Sequence, residues 1–189
     1  PEIVLKETMQ SNKNGNASLF NSLKNIDLSA FDSVVVGPGI GIDIDDWQKS
    51  KNYLISYEGL LILDADALNR ISASKLGSNF FLERKFKTWI TPHSKEFQRL
   101  FPNTESDTKL GLALEAAKEF KISILLKGAN SIVADNKKVW QLFGTDSQTA
   151  RAGLGDLLSG FIAGSSAIDL SFCRNITTEF FAKYVLLHS

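Results

Sequence analysis

The 189 residues are enough for one domain with a substantial core, and 43% hydrophobic with 22% charged residues is the composition of a globular protein. Its 21 basic and 21 acidic side chains cancel, and no aromatic stripe interleaves with Lys and Arg, so neither nucleic acid nor an anionic membrane surface is favoured. The single cysteine, Cys173, excludes an internal disulfide and a cysteine zinc site and points to a reducing, cytoplasmic setting.

Along the chain, the N-terminal residues carry Glu2, Lys6 and Glu7 and lack the apolar core of a secretory signal. Residues 10–18 are polar and Asn/Gly-rich, a loop or connector. Ser33-Val34-Val35-Val36 is short, β-branched and stopped by Gly37, which predicts a buried strand. Residues 43–57 place Ile44, Trp47, Lys51 and Leu54 at helical spacing behind Asp43 as a cap. Two further strands are expected at 60–63, ending in Asp64, and at 88–91, stopped by Pro92.

Residues 107–120 bring Leu110, Ala113, Leu114, Ala117 and Phe120 onto one helical face. A strand follows at 122–126, bounded by Lys127-Gly128. Strands at 131–134 and 138–143 then flank Asp135-Asn136-Lys137, a hairpin turn. Helices are expected at 156–170 and 177–188. The apolar runs, such as 59–63 and 122–126, are far too short to cross a bilayer. Strand–helix alternation with continuous apolar strands predicts an α/β fold in three layers. Helices would cover both faces of a mostly parallel sheet, and the hairpin would add an antiparallel edge. Ligands of such sheets sit beyond the strand carboxyl ends, and every unusual motif in this chain follows a predicted strand.

Five motifs carry chemistry, each beside a plainer structural role. Gly37-Pro38-Gly39-Ile40-Gly41 either makes a tight strand-to-helix turn or turns backbone N–H groups toward an anion. In Asp64-Ala65-Asp66-Ala67-Leu68-Asn69, two carboxylates at a strand end need solvent, hydrogen bonds or a cation, or else cap a helix. Thr91-Pro92-His93-Ser94-Lys95-Glu96 offers an imidazole for a polar ligand and a carboxylate for hydrated Mg2+, or a surface histidine and a first-turn glutamate. Lys127-Gly128-Ala129-Asn130-Ser131 is a phosphate-binding lysine loop or a hairpin with a solvated lysine. Ala152-Gly153-Leu154-Gly155-Asp156 opens a helix on glycines. Such a helix start holds anions, and the carboxylate of Asp156 beside it is a base for phosphoryl transfer to a hydroxyl.

Taken in order, these motifs resemble the NAD(P)H-hydrate dehydratase family of the ribokinase-like superfamily, over nearly the whole chain from Val34 to His188. The Asp-Ala-Asp-Ala-Leu-Asn and Thr-Pro-His-x-x-Glu pieces are the most specific. Where the family usually has Gly-Gly-Ser-Gly-Asp, this chain has Ala152 and Leu154 at the first and third positions.

The resemblance implies that hydrated NADH or NADPH is dehydrated at the expense of ADP or ATP with Mg2+, through phosphorylation of the hydroxyl and loss of phosphate. It places Gly39, Gly41, His93 and Asp156 on the hydrated dinucleotide, with Asp156 as the catalytic base. Lys127, Gly128, Ala129, Asn130, Ser131, Gly153 and Gly155 would hold the adenine nucleotide, and Glu96 would place the metal. It also implies a homo-oligomer and an epimerase domain, fused or separate. Residues 1–189 would form a single domain without the glycine-rich N-terminal portion of its relatives. A small-molecule kinase of the hydroxyethylthiazole or pyrimidine type, or a non-catalytic nucleotide-binding module, are the competing readings.

Overall fold

The first four apolar runs become four parallel strands: β1 (Ser33–Val36), β2 (Leu60–Leu63), β3 (Thr88–Ile90) and β4 (Ser123–Leu126). The chain then reverses at Asp135, whose carboxylate accepts from the amides of Lys137 and Lys138. Two short strands, β5 (Ile132–Ala134) and β6 (Val139–Gln141), pair antiparallel at the edge. The strands lie side by side in chain order, β1 to β6. The computed structural model describes residues 18–143 and 154–172.

The helix α1 (Leu19–Leu23) precedes β1, and between the strands lie α2 (Ile44–Ser56), α3 (Ala65–Ala73), α4 (Asn79–Glu83), α5 (Ser94–Leu100) and α6 (Lys109–Phe120). After β6 comes α7 (Leu154–Phe172). In a sheet whose strands follow chain order, crossovers of one hand deliver their helices to one face. The core shows this. Leu61, Leu63, Ile90, Ile124 and Leu126 pack with Trp47, Leu54, Leu68, Ile71, Phe80 and Phe120 from the crossover helices. The alternate strand residues Leu60, Ile62, Trp89, Leu125 and Val133 face the other way, onto Ile162 and Ala163 of α7. Both faces of the sheet are therefore covered, as the strand pattern predicts. Among the described residues no helix is long and apolar enough to cross a membrane.

Several boundaries differ from the sequence reading: the last strand is shorter than 138–143, α7 is longer than 156–170, and β3, β4 and β5 each lose one terminal residue. Two further differences from that reading have a visible cause. Ser18, placed there in the polar loop, caps α1: its hydroxyl accepts from the Asn21 amide and donates to Asp46, and it is buried. The helix expected from residue 107 starts at Lys109, because Thr108 takes the capping role and accepts from the Gly111 amide. Residues 10–17, Gly153 and the helix expected at 177–188 lie outside the described residues.

Candidate active site

The carboxyl ends of β1 to β4 carry the motifs, and α7 runs down across β1 with its first turn at that same end. The Ser33 hydroxyl at the far end of β1 donates to the Ala163 carbonyl, 2.8 Å away, while Gly155 and Ser159 reach the strand ends.

At the end of β1, Gly37 has no substitute. Its φ is +144°, and a side chain there would lie 1.7 Å from the Asp64 carbonyl oxygen. The loop it begins does point an N–H at an anion, but the anion is the protein's own. The Gly41 amide donates to Asp66 Oδ2 at 2.8 Å. The Gly41 carbonyl accepts from Arg70 Nε at 2.6 Å, and the Ile40 carbonyl accepts from the same guanidinium. Arg70 also pairs with Asp46 at 2.8 Å, and Asp46 accepts from the amides of Leu19 and Phe20 and the hydroxyl of Ser18. Burial alone would raise the Asp46 carboxyl, but Arg70, Ser18 and the two amides together hold it below its ordinary value. Gly39 is exposed at the tip of this loop, at φ +71°.

The end of β2 is the most connected point of the site. Asp64 is 1% exposed, and each carboxylate oxygen is engaged. Oδ1 accepts from the Ala65 amide at 2.8 Å and from Lys127 Nζ at 2.7 Å; Oδ2 accepts from the Ser159 hydroxyl at 2.6 Å. The Thr91 hydroxyl at the end of β3 lies 3.4 Å from that of Ser159. The two aspartates of the motif thus escape mutual repulsion by different means, Asp64 through a cation and Asp66 through a backbone amide. Asp64 also caps α3, so capping and ion pairing coexist in one carboxylate.

Lys127, at the end of β4, is not a freely solvated lysine, because Asp64 holds it. Its ammonium lies 3.5 Å from the point where a Cβ on Gly155 would stand, directly against the first turn of α7. Gly128, Ala129 and Asn130 form the exposed link to β5, with the buried Ser131 closing it through a bond to the Gly128 carbonyl. Asp156 is exposed on the same first turn of α7. The side chain of Leu154, with Ala152 and Gly153, falls outside what is described.

His93 and Glu96 close a capping box at the start of α5. His93 Nδ1 accepts from the amides of Lys95 and Glu96, and Glu96 Oε2 accepts from the His93 amide at 2.9 Å. A ring that accepts at Nδ1 carries its neutral-state proton on Nε2, which lies 3.4 Å from Oε1 of the buried Glu96, while the His93 side chain as a whole is half-exposed. The plain reading of this motif is therefore present, and it leaves the imidazole ring half-exposed beside Glu96. A parallel bridge joins His93 to Lys127, with the Lys127 amide donating to the Pro92 carbonyl, so the third and fourth motifs are contiguous.

Glu96 fits Mg2+ only as a minority partner. Among the described residues no group of three His, Cys, Asp or Glu side chains converges on one point. An ion held by one carboxylate, water and nucleotide phosphates is the arrangement such a donor set suits.

Gly39, Gly41, His93, Lys127, Gly155 and Asp156 therefore lie along one edge of the sheet. Arg70 and Asp46 stand outside the motifs, and Thr91 and Ser159, within or just beyond them, carry no expected role of their own. The one available signal was charge on a buried stripe: Arg70 follows Ala67 and Leu68 and precedes Ile71, all core residues of α3.

The profile of a family described as NAD(P)H-hydrate dehydratase matches residues 1–183. The chain is 33% identical over 165 residues to a bifunctional NAD(P)H-hydrate repair enzyme of Synechocystis, covering 87% of this chain and 30% of that protein. It is 33% identical over 170 residues to an ADP-dependent (S)-NAD(P)H-hydrate dehydratase of Nitrosopumilus maritimus, covering 83% of this chain and 57% of that one. A solved ADP/ATP-dependent NAD(P)H-hydrate dehydratase of Bacillus subtilis, co-crystallised with ATP and Mg2+, superposes with a TM-score of 0.60 at 25% identity, over 77% of this chain and 51% of that one. The fold is ribokinase-like. The chain spans about a third of the length of the bifunctional relatives it matches, 30% of the Synechocystis protein.

Proposed function

We infer, since this chain belongs to the NAD(P)H-hydrate dehydratase family, that its strand-end site performs the nucleotide-dependent dehydration of hydrated NADH or NADPH. The observation that carries this reading is the meeting of Lys127, Gly155 and Asp156: a lysine against a glycine-opened helix start, with an exposed carboxylate on the same turn. In this reading residues 1–189 act as one ribokinase-like unit.

The chemistry follows from the parts. Lys127 and the first-turn amides of α7 hold the nucleotide phosphates, joined by the link 128–131 and by Gly153. Asp156 takes the proton of the substrate hydroxyl as its oxygen bonds to the terminal phosphorus of ATP or ADP. The bond from that phosphorus to the nucleotide breaks, leaving ADP or AMP. Phosphate then leaves with its C–O bond, and loss of a proton from the neighbouring carbon restores the double bond. His93 offers its half-exposed imidazole, and Gly39 and Gly41 border the bound dinucleotide. Glu96 would hold Mg2+ through water, and that ion would neutralise charge on the transferring phosphate. Homo-oligomer formation, work alongside an epimerase domain and a cytoplasmic setting belong to this proposal.

The test is to supply the protein with Mg2+, ADP or ATP, and hydrated NADH, and to follow the absorbance of regenerated NADH. Nucleotide-dependent regeneration is expected. Phosphorylation of a hydroxyethylthiazole in place of it would replace this reading with that of a small-molecule kinase.

A further inference from the structure

We propose that Asp64 is the positioning residue of this site: its buried carboxylate fixes the Lys127 ammonium against the start of α7 and cancels its charge. The proposal rests on the reading that Lys127 holds nucleotide phosphate.

Three separate pieces of chain converge on this carboxylate. Lys127 comes from the end of β4, 63 residues away, Ser159 from α7, 95 residues away, and the Ala65 amide from the adjoining turn. That turn is bent for the purpose, since Ala65 sits at φ +46°, where a side chain is unfavourable. Gly37 lets β1 close onto the backbone of Asp64 from the other side. The carboxylate is therefore held by three donors from separate elements, whereas a free lysine would swing on a flexible four-carbon stem.

An ammonium has three donors, and Asp64 takes one. Lys127 is 24% exposed, so its remaining donors stay reachable. The pair as a whole is neutral, so the site offers phosphate an oriented donor more than a net charge. Removing only the lysine then does two things. It deletes a donor, and it leaves a 1% exposed carboxylate facing the nucleotide's own negative charge. Removing both partners does only the first.

The experiment measures ADP and ATP affinity by calorimetry and turnover of hydrated NADH, on the whole protein. It compares the parent with Lys127→Met, Asp64→Asn and the double variant. Lys127→Met should weaken nucleotide binding by at least about tenfold, and the double variant should recover about fivefold or more of that loss, a coupling of the size found between contacting charged groups. Asp64→Asn should keep nucleotide affinity within about threefold while kcat falls at least about tenfold, because the lysine keeps its charge and loses its aim.

If Asp64 only capped α3 and clamped the fold, affinity and kcat would fall together and the double variant would bind no better than Lys127→Met. That result overturns the proposal. Should either Asp64 variant fail to fold, Ser159→Ala carries the test, because it frees one carboxylate oxygen and leaves the ion pair. It should lower kcat by about threefold at unchanged affinity, and parental kcat in that variant overturns the proposal. A parent protein that binds no nucleotide removes the functional reading as well; one that binds it without coupling removes this inference alone.

Discussion

Two ion pairs on buried carboxylates, Arg70–Asp46 at 2.8 Å and Lys127–Asp64 at 2.7 Å, are nearly equal in length and differ in what they leave over. Arg70 is fully buried, and its guanidinium is consumed by the Gly41 and Ile40 carbonyls and by Asp46. The Asp46 carboxylate is in turn filled by Ser18 and two amides. Nothing in that pair is available to a ligand. Lys127 spends one donor inward and keeps the rest at a partly open position beside α7. A fully buried pair with every nitrogen and oxygen engaged is architecture, and it ties the glycine loop to α1, α2 and α3. A partly open pair with donors to spare is part of a site. The residue types fit: a planar fork saturates fixed carbonyls, while a flexible ammonium turns from one partner to the next.

Breaking the saturated pair gives the largest expected change in stability. Arg70→Met strips Asp46 of its cation in the interior and should cost about 3–5 kcal/mol in urea unfolding. Lys127→Met should cost less, because water can reach Asp64 through the partly open position the ammonium vacates, while taking the larger share of nucleotide affinity. Equal stability losses from the two variants would erase the distinction between them.

Acid offers a second, smaller probe. The folded Asp46 carboxyl lies below its ordinary value, so the pair adds stability that is fully present above the unfolded carboxylate value of about 3.9 and disappears as pH falls through the folded one. The stability gap between the parent and Asp46→Asn should therefore be constant near neutrality and shrink below about pH 4. A gap independent of pH would mean that Asp46 contributes through shape and not through charge.

The smallest effect concerns the backbone that aims Asp64. Ala65→Gly relieves a left-handed side chain and should raise stability by up to about 1 kcal/mol, whereas Ala67→Gly, two residues on in the same helix, should lower it by about 1 kcal/mol. A loss at both positions in thermal melts would mean that the bend at Ala65 carries no strain.

The sequence revealed what depends on neighbours in the chain. Val34, Val35 and Val36 before Gly37 mark a strand, Asp43 before Ile44 marks a helix start, and Asp135-Asn136-Lys137 marks the hairpin; all three are found. Ser18 was misplaced because the polar stretch before it resembles a loop, and the buried Asp46 that recruits it is 28 residues away. The same limit hid the site's internal wiring. Asp64 reads as a helix cap, and so it is, but its bonds to Lys127 and Ser159 exist only once β2, β4 and α7 are laid side by side. Likewise the glycine loop announced a turned N–H, and only the fold revealed Asp66 as its acceptor.

The proposed chemistry depends most directly on Asp156, the exposed carboxylate on the first turn of α7. Turnover of hydrated NADH and nucleotide affinity should be measured on one preparation of Asp156→Asn. Asparagine preserves size and suits a helix start, so fold and nucleotide binding should persist, with affinity unchanged or tighter once a negative charge beside the phosphate is gone. The rate should drop by about a hundred- to ten-thousand-fold, the usual contribution of a general base. A drop of less than about tenfold, below that range, would make Asp156 a helix-start residue and contradict the mechanism.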